Sequence, residues 1–156
     1  MKTFEGNKDT KKLNLAIIQS KFNKNICERL LAGALSCLRE NSVDEELIDI
    51  VKVPGAFEIP LAADKLAAQK KYDAIICLGA VIKGETAHFE YVSKAVTDGL
   101  LKVNLKYGVP VIFGVLTTYT EEQAEERAGE NENNKGWESA EAALEMANLV
   151  RKLNNH

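Results

Sequence analysis

The sequence has few of the features that build disulfide frameworks, zinc sites or membrane spans. Its three cysteines, Cys27, Cys37 and Cys77, are odd in number and have no CxxC spacing, which favours buried thiols in a reduced, cytoplasmic protein. The longest nearly apolar runs, Ala74–Ile82 and Val109–Leu116, are too short to span a bilayer. The polar N-terminus MKTFEGNKDTKK lacks the apolar core of a signal peptide. We therefore expect a cytoplasmic protein with no membrane partner.

An excess of basic residues is also missing. The chain has 20 Lys and Arg against 23 Asp and Glu, a formal net charge of −3. A general nucleic-acid binder needs a basic face that releases phosphate counterions, so this class is not expected. With 156 residues, a folded chain buries roughly 70% of the surface that its unfolded form exposes. It therefore needs no metal or disulfide to fold.

Short apolar runs alternate with helical patterns along the chain. Strands are predicted over Leu13–Gln19, Leu47–Val53, Ala74–Ile82 and Val109–Leu116. The last two strands are apolar almost throughout, which is typical of strands covered on both faces. Helices are predicted over Lys24–Glu40, Leu61–Lys70, His88–Gly108, Glu121–Ala128 and Ala140–Val150. This alternation predicts a three-layer α/β/α sandwich with a four-stranded parallel sheet.

Two stretches of the chain do not fit this packing pattern. Residues 1–12 are polar and are predicted as an arm that precedes a domain of residues 13–156, with an added edge strand as one option for it. Glu130–Asn134 reads ENENN and is predicted as an exposed loop. Neither stretch has an apolar face to bury within one domain.

Open parallel sheets bind ligands outside the carboxyl ends of their strands, and the segment after the third strand is rich in candidates. In Gly79–His88 a glycine-containing turn leads into a helix, and its free backbone N–H groups suit a single phosphate. Glu85 stands where a triphosphate loop needs lysine, which argues against an ATPase. The hydroxyl of Thr86 could bind the same phosphate, or it could cap the helix. His88 could act as a general acid/base or be an ordinary surface residue.

Further candidates follow the other strands. Phe22 could stack on a planar heterocycle or pack onto the following helix. The turn after the second strand presents Phe57 and Glu58 at the same edge of the sheet. Alternatively, Phe57 belongs to the core and Glu58 is a carboxylate in the first turn of the next helix. Phe113 lies inside an apolar strand, and pattern alone predicts a core residue. Arg127 stands among glutamates. It either compensates their negative charge on an exposed helix or binds a phosphate through its planar guanidinium group.

Taken together, these segments resemble the lumazine synthase family. The matching motifs are F-N after the first strand, V-P-G-A-F-E-I-P after the second, L-G-A-V-I-K-G-E-T-A-H-F-E-Y at the third, G-V-P-V-I-F-G-V-L-T-T at the fourth, then E-R-A-G and N-K-G. The resemblance runs from about Leu13 to Leu153. It implies a flavodoxin-like fold and the condensation of 5-amino-6-(D-ribitylamino)uracil with 3,4-dihydroxy-2-butanone 4-phosphate. The products are 6,7-dimethyl-8-ribityllumazine, phosphate and water, in the penultimate step of riboflavin synthesis, with no metal or organic cofactor.

The resemblance also implies roles for individual residues. His88 is the implied proton-transfer residue. The residues implied to hold the pyrimidine are Phe22, Ala56, Phe57, Glu58, Ala80, Val81, Ile82 and Phe113. Those implied to hold the butanone phosphate are Glu85, Thr86 and Arg127.

The resemblance further implies pentamers with each site between neighbouring subunits, and twelve pentamers can close into a 60-subunit icosahedral shell. Riboflavin synthase is a candidate partner. Tyr119, Trp137 and the acidic stretch 130–133 depart from the family pattern near Arg127, so the size of the assembly stays open.

Two other classes of protein remain as alternatives. A flavodoxin-like electron carrier shares the architecture, but it needs a Ser/Thr/Gly phosphate loop after the first strand, where SKFNKN has no glycine. A structural shell without activity would keep the fold, although every position with a family role is filled. Formation of the fluorescent lumazine from the two substrates distinguishes these classes.

Overall fold

A computed structural model describes residues 1–130 and 133–156 of the chain. Its helices and strands are, in chain order, β1 (Leu15–Ser20), α1 (Lys24–Glu40), β2 (Ile48–Val53), α2 (Ile59–Ala68), β3 (Ala74–Ile82), α3 (His88–Tyr107), β4 (Val111–Thr118), α4 (Glu121–Arg127) and α5 (Lys135–Asn154). Single 3₁₀ turns precede β2 and α2. No helix in the described part of the chain is long and apolar enough to cross a membrane.

The four strands form one parallel sheet in the order β2-β1-β3-β4. Successive side chains of a strand point to opposite faces. Leu15 and Ile17 therefore pack with α1 and α5 on one face of the sheet, while Ala16 and Ile18 pack with α2 and α3 on the other. This confirms the predicted three-layer sandwich, with one apolar core on each side of the sheet.

The two inner strands and the edge strand β4 differ in burial. The first eight residues of β3 are buried, as predicted for a strand covered on both faces. In β4, Phe113 and Thr117 are exposed, so the prediction that both faces of this strand are covered is wrong. β4 has only one neighbouring strand, and the flanking helices leave part of its surface uncovered.

The N-terminal arm lies along α5 and contacts it through polar groups, whereas the sequence predicted that it has little to pack on within one domain. The buried side chain of Asn148 donates from Nδ2 to the carbonyl oxygens of Asn7 and Asp9, at 2.9 and 2.8 Å. Lys8 forms an ion pair with Glu141 at 2.8 Å. Residues 1–12 form no strand, since polar side chains of α5 bind the backbone of the arm. The optional edge strand is therefore absent from the sheet of the single chain.

Gly136, in the first turn of α5, provides a test of the close contact between α5 and α1. A Cβ atom there would overlap the carbonyl oxygen of Leu30, and this backbone cannot move without separating the two helices. Gly136→Ala is expected to lower the free energy of unfolding by about 1–3 kcal/mol, as overpacking does. The measurement is the midpoint of urea unfolding.

The matched control is Gly84→Ala, because nothing lies within 4 Å of the Cβ position at Gly84. This exposed substitution should change stability by at most about 0.5 kcal/mol. Equal midpoints for the two variants would show that the α1–α5 contact tolerates a methyl group.

Candidate active site

A cavity of about 730 Å³ opens at the carboxyl ends of β1, β2 and β3, beside the first turns of α3. It brings together most of the predicted site residues. Those that line it are Phe22, Ala56, Phe57, Glu58, Ala80, Val81, Ile82, Thr86 and His88. Because β1 and β3 are neighbours in the sheet, segments about sixty residues apart in sequence meet here.

The turn after β1 holds Phe22 at the mouth of this cavity. The backbone N–H groups of Lys21 and Phe22 donate to the carbonyl oxygens of Val53 and Pro54, at 2.8 and 3.1 Å. The Phe22 side chain is 69% exposed, so it does not serve mainly as packing for the following helix. The two backbone hydrogen bonds fix the position of the turn, and the exposed ring is available to stack on a planar ligand.

The turn after β2 places a carboxylate next to Phe22. The N–H of Glu58 donates to the carbonyl of Gly55 at 3.3 Å, which closes a tight turn. A Cβ built on Gly55 would lie 3.2 Å from Oε2 of Glu58 and 4.0 Å from Cβ of Phe22. Phe57 is 62% exposed, so the alternative that it belongs to the core is wrong. Glu58 and two aromatic rings thus border the same opening.

The end of β3, residues Ala80, Val81 and Ile82, lines the cavity between Phe22 and the start of α3. Ala80 and Val81 are buried and Ile82 is half-buried. The Nδ2 of Asn23 donates to the carbonyl oxygen of Ala80 at 2.8 Å. Peptide N–H and C=O groups at this position can read the polar edge of a planar ring.

The segment between β3 and α3 forms an exposed turn. Gly84, Glu85 and Thr86 are all exposed, and the N–H of His88 donates to Oγ1 of Thr86 at 3.4 Å. The helix α3 begins at His88, whose exposed side chain lines the cavity. A helix N-terminus of this kind favours an anion, since its first amides point outward and carry partial positive charge. Glu85 is not among the residues that line the cavity.

The charge of the cavity is unusual for a phosphate site. Of the residues described as lining it, Glu58 carries a carboxylate and none is lysine or arginine. The N-terminus of α3 supplies positive potential at this turn. An ammonium or guanidinium group that pairs with a phosphate dianion here would come from outside the described lining of the cavity.

A second cavity, of about 400 Å³, lies along β4 and contains Phe113 and Arg127, whereas Glu85 lines neither cavity. Phe113 and Arg127 line it together with Lys135 and Glu138. Phe113 is 45% exposed, so its prediction as a core residue is wrong. The Arg127 guanidinium donates from Nη1 to the carbonyl of Gln123 at 3.0 Å. Within one chain, the structure does not bring Phe113 or Arg127 to the first cavity.

Several residues that line the cavities were missed by the sequence analysis. Phe89, Tyr91 and Val92 lie in the first turns of α3 and line the first cavity, and their closeness to His88 on a predicted helix could have indicated this. Lys135 and Glu138 line the second cavity and form an ion pair at 2.7 Å. Lys135 is the lysine of the N-K-G motif, and the sequence predicted no role for it.

The positions that depart from the family pattern have different surroundings. Tyr119 is exposed, with its ring 6.1 Å from that of Phe89. Trp137 is buried in the core between α1 and α5. Asn131 and Glu132 of the acidic loop lie outside the described residues.

The cysteines are unsuited to nucleophilic chemistry. All three are buried, and burial raises the pKa of Cys27 and of Cys37 to about 11. The Sγ of Cys27 donates to the carbonyl of Phe22 at 3.2 Å. Residues 1–130 and 133–156 hold no group of three or more His, Cys, Asp or Glu side chains placed to bind a metal ion.

Known proteins share this sequence over almost its whole length. Residues 12–151 match the family model described as 6,7-dimethyl-8-ribityllumazine synthase. Two curated relatives, both named 6,7-dimethyl-8-ribityllumazine synthase and both from strains of Clostridium kluyveri, are each 52% identical to this chain over 153 residues. The aligned regions cover 98% of this chain and 99% of each relative.

Proposed function

The chain belongs to the 6,7-dimethyl-8-ribityllumazine synthase family, and we propose that the cavity at the ends of β1, β2 and β3 is its active site. The chain is a transferase of riboflavin biosynthesis. It condenses 5-amino-6-(D-ribitylamino)uracil with 3,4-dihydroxy-2-butanone 4-phosphate and releases the lumazine, phosphate and water. This assignment rests on one observation: Phe22, the turn at Glu58, the end of β3 and His88 all line the same cavity.

In this proposal the pyrimidine lies between an aromatic ring and a backbone wall. Phe22 stacks on the ring, and the peptide groups of Ala80, Val81 and Ile82 bind its polar edge. Ala56, Phe57 and Glu58 hold the ribityl chain and the adjoining ring edge. The exposed rings and the mostly apolar lining support this assignment, because such walls bind planar ligands by stacking and exclusion of water.

His88 moves protons in the condensation. An amine that adds to a ketone must lose a proton and expel water, and an imidazole beside the cavity can accept and return that proton. The histidine lines the cavity next to the turn of Glu85 and Thr86, where we place the butanone phosphate. Phosphate loss and ring closure then depend largely on the orientation of two bound substrates.

The phosphate requires a second subunit. The described lining of the cavity has no lysine or arginine, whereas Arg127 lies with Phe113 in the cavity along β4. We place Arg127 of a neighbouring subunit on the phosphate and Phe113 of that neighbour against the pyrimidine. A cyclic head-to-tail arrangement allows this, since each copy presents one patch to each neighbour.

The surface of α3 also favours self-association. Tyr91, Leu101 and Leu105 lie on this helix and are 74%, 58% and 78% exposed, which is a large apolar area for a surface helix. We propose a pentamer, with residues 13–156 as its domain and residues 1–12 as an arm. Closure of twelve pentamers into an icosahedral shell and association with riboflavin synthase are further proposals, as is a cytoplasmic location.

The activity is tested by mixing the two substrates with purified protein. We expect the fluorescent lumazine to form with one phosphate released per lumazine, and neither product when either substrate is left out. A protein that stays folded, binds flavin stoichiometrically and forms no lumazine would instead be an electron carrier, and one that does neither would be an inactive shell.

Replacement of His88 tests the proton-transfer role. His88→Ala is expected to lower kcat by about 10²-fold or less, because positioning of the substrates contributes much of the rate. The KM values should change little. His156→Ala is the matched control, since it removes the other histidine, which contacts the arm residue Phe4. Full activity of His88→Ala would remove this residue from the mechanism.

The shared site is tested by complementation between two impaired variants. His88→Ala and Arg127→Ala proteins are unfolded, mixed in equal amounts and reassembled. Random neighbours in a ring should restore about a quarter of the sites to an intact pair, so activity should rise well above that of either parent. If both parents are impaired and confirmed mixed rings gain no activity, Arg127 and His88 do not come from different subunits.

A further inference from the structure

Asn23 immediately precedes α1, yet its side chain does not cap that helix. Its backbone is left-handed, with φ 52° and ψ 52°, and its side chain accepts no hydrogen bond from the first turn of α1. Asparagine tolerates this conformation better than most residues. The amide instead reaches across the sheet edge, where Nδ2 donates to the carbonyl oxygen of Ala80 at 2.8 Å.

This bond lies just beyond the end of the β1–β3 ladder. The last residues paired between these strands are Gln19 and Leu78. After that point the chain turns away into α1, while β3 continues to Ile82. The cavity opens in the resulting gap, with Phe22 on one side and the end of β3 on the other. The Asn23 side chain bridges the two sides of the gap.

The other hydrogen bonds of this turn lead to different elements. The N–H of Phe22 donates to Pro54, after β2. The carbonyl of Phe22 accepts from the thiol of Cys27, in α1. Of the hydrogen bonds described for residues 21–23, the one from Asn23 is the bond that reaches β3. It therefore links the aromatic side of the cavity directly to the backbone wall.

We propose that Asn23 is a positioning residue of the pyrimidine site, which sets the distance between the Phe22 ring and the backbone wall of Ala80–Ile82. This inference rests on the proposed function. Loss of the bond lets the turn after β1 move relative to β3, so the stacking face and the hydrogen-bonding edge no longer fit one planar ring. The turn at Thr86 and His88 follows β3 and does not depend on this bond, so binding of the butanone phosphate is unaffected.

The test uses Asn23→Gly and Asn23→Ala. Glycine keeps the left-handed backbone and removes the amide, and alanine also removes the amide without adding a charge to the cavity. In both variants KM for the pyrimidine should rise about threefold to tenfold, the range expected for one hydrogen bond. KM for the butanone phosphate and the pH profile of kcat should not change. Calorimetry with the pyrimidine substrate alone should show the same loss of affinity.

Asn41→Gly is the matched control. Asn41 lies at the other end of α1, and its Nδ2 also donates to a backbone carbonyl, that of Cys37, at 2.9 Å. This variant loses the same kind of bond far from the cavity. Its thermal stability can fall, but its KM for the pyrimidine should equal that of the original protein.

The outcomes separate this inference from the proposed function. If the unsubstituted protein forms no lumazine, the proposed function is wrong. An active original protein whose Asn23 variants bind the pyrimidine normally contradicts the positioning role. Equal losses for both substrates, or equal losses in Asn41→Gly, would show that Asn23 contributes only to general stability. If Asn23→Gly does not fold, Asn23→Ala decides between these outcomes.

Discussion

The parallel pairing of β1 with β3 is the constraint on which the site depends. These strands are not consecutive in sequence, yet their residues pair from Leu15 with Ala74 to Gln19 with Leu78. Because parallel strands end at the same edge of a sheet, the turn that carries Phe22 lies beside the end of β3. The apolar side chains on both faces of these strands form the two cores. The packing that stabilises the fold therefore also positions the pocket.

A buried polar side chain, that of Asn134, joins the chain segments that flank the second cavity. Asn134 donates from Nδ2 to the carbonyls of Arg29 and Gly129, both at 2.9 Å. Its Oδ1 accepts from the N–H groups of Gly136 and Trp137. These bonds join α1, the segment after α4 and the start of α5, so that Arg127 and Lys135 come to face one cavity. A buried amide with both of its polar atoms bonded adds specificity to this junction.

The separation of charge between the two cavities has a functional consequence. The first cavity offers aromatic rings, peptide groups and a histidine, but its described lining lacks a side chain that can neutralise a phosphate dianion. The guanidinium of Arg127 lies in the other cavity, beside an exposed phenylalanine. In the proposed assembly, Arg127 of one copy supplies the neighbouring copy with the positive charge that the described lining of the first cavity lacks.

Local pattern was sufficient for the elements, and most of the residues proposed for the site line one cavity. The apolar periodicity predicted α1 and β3 with their observed bounds, since side-chain spacing reports secondary structure directly. The motif around His88 identified the family and the edge of the sheet to search. Pattern could not show that Phe113 is exposed, because β4 reads as a buried strand. Only the strand order decides that it lies at an edge. The arm was likewise unpredictable, since its partners are polar side chains of α5 more than a hundred residues away. The sequence determined the elements, because local spacing encodes them, while the tertiary structure decided which faces remain open, because that depends on long-range pairing.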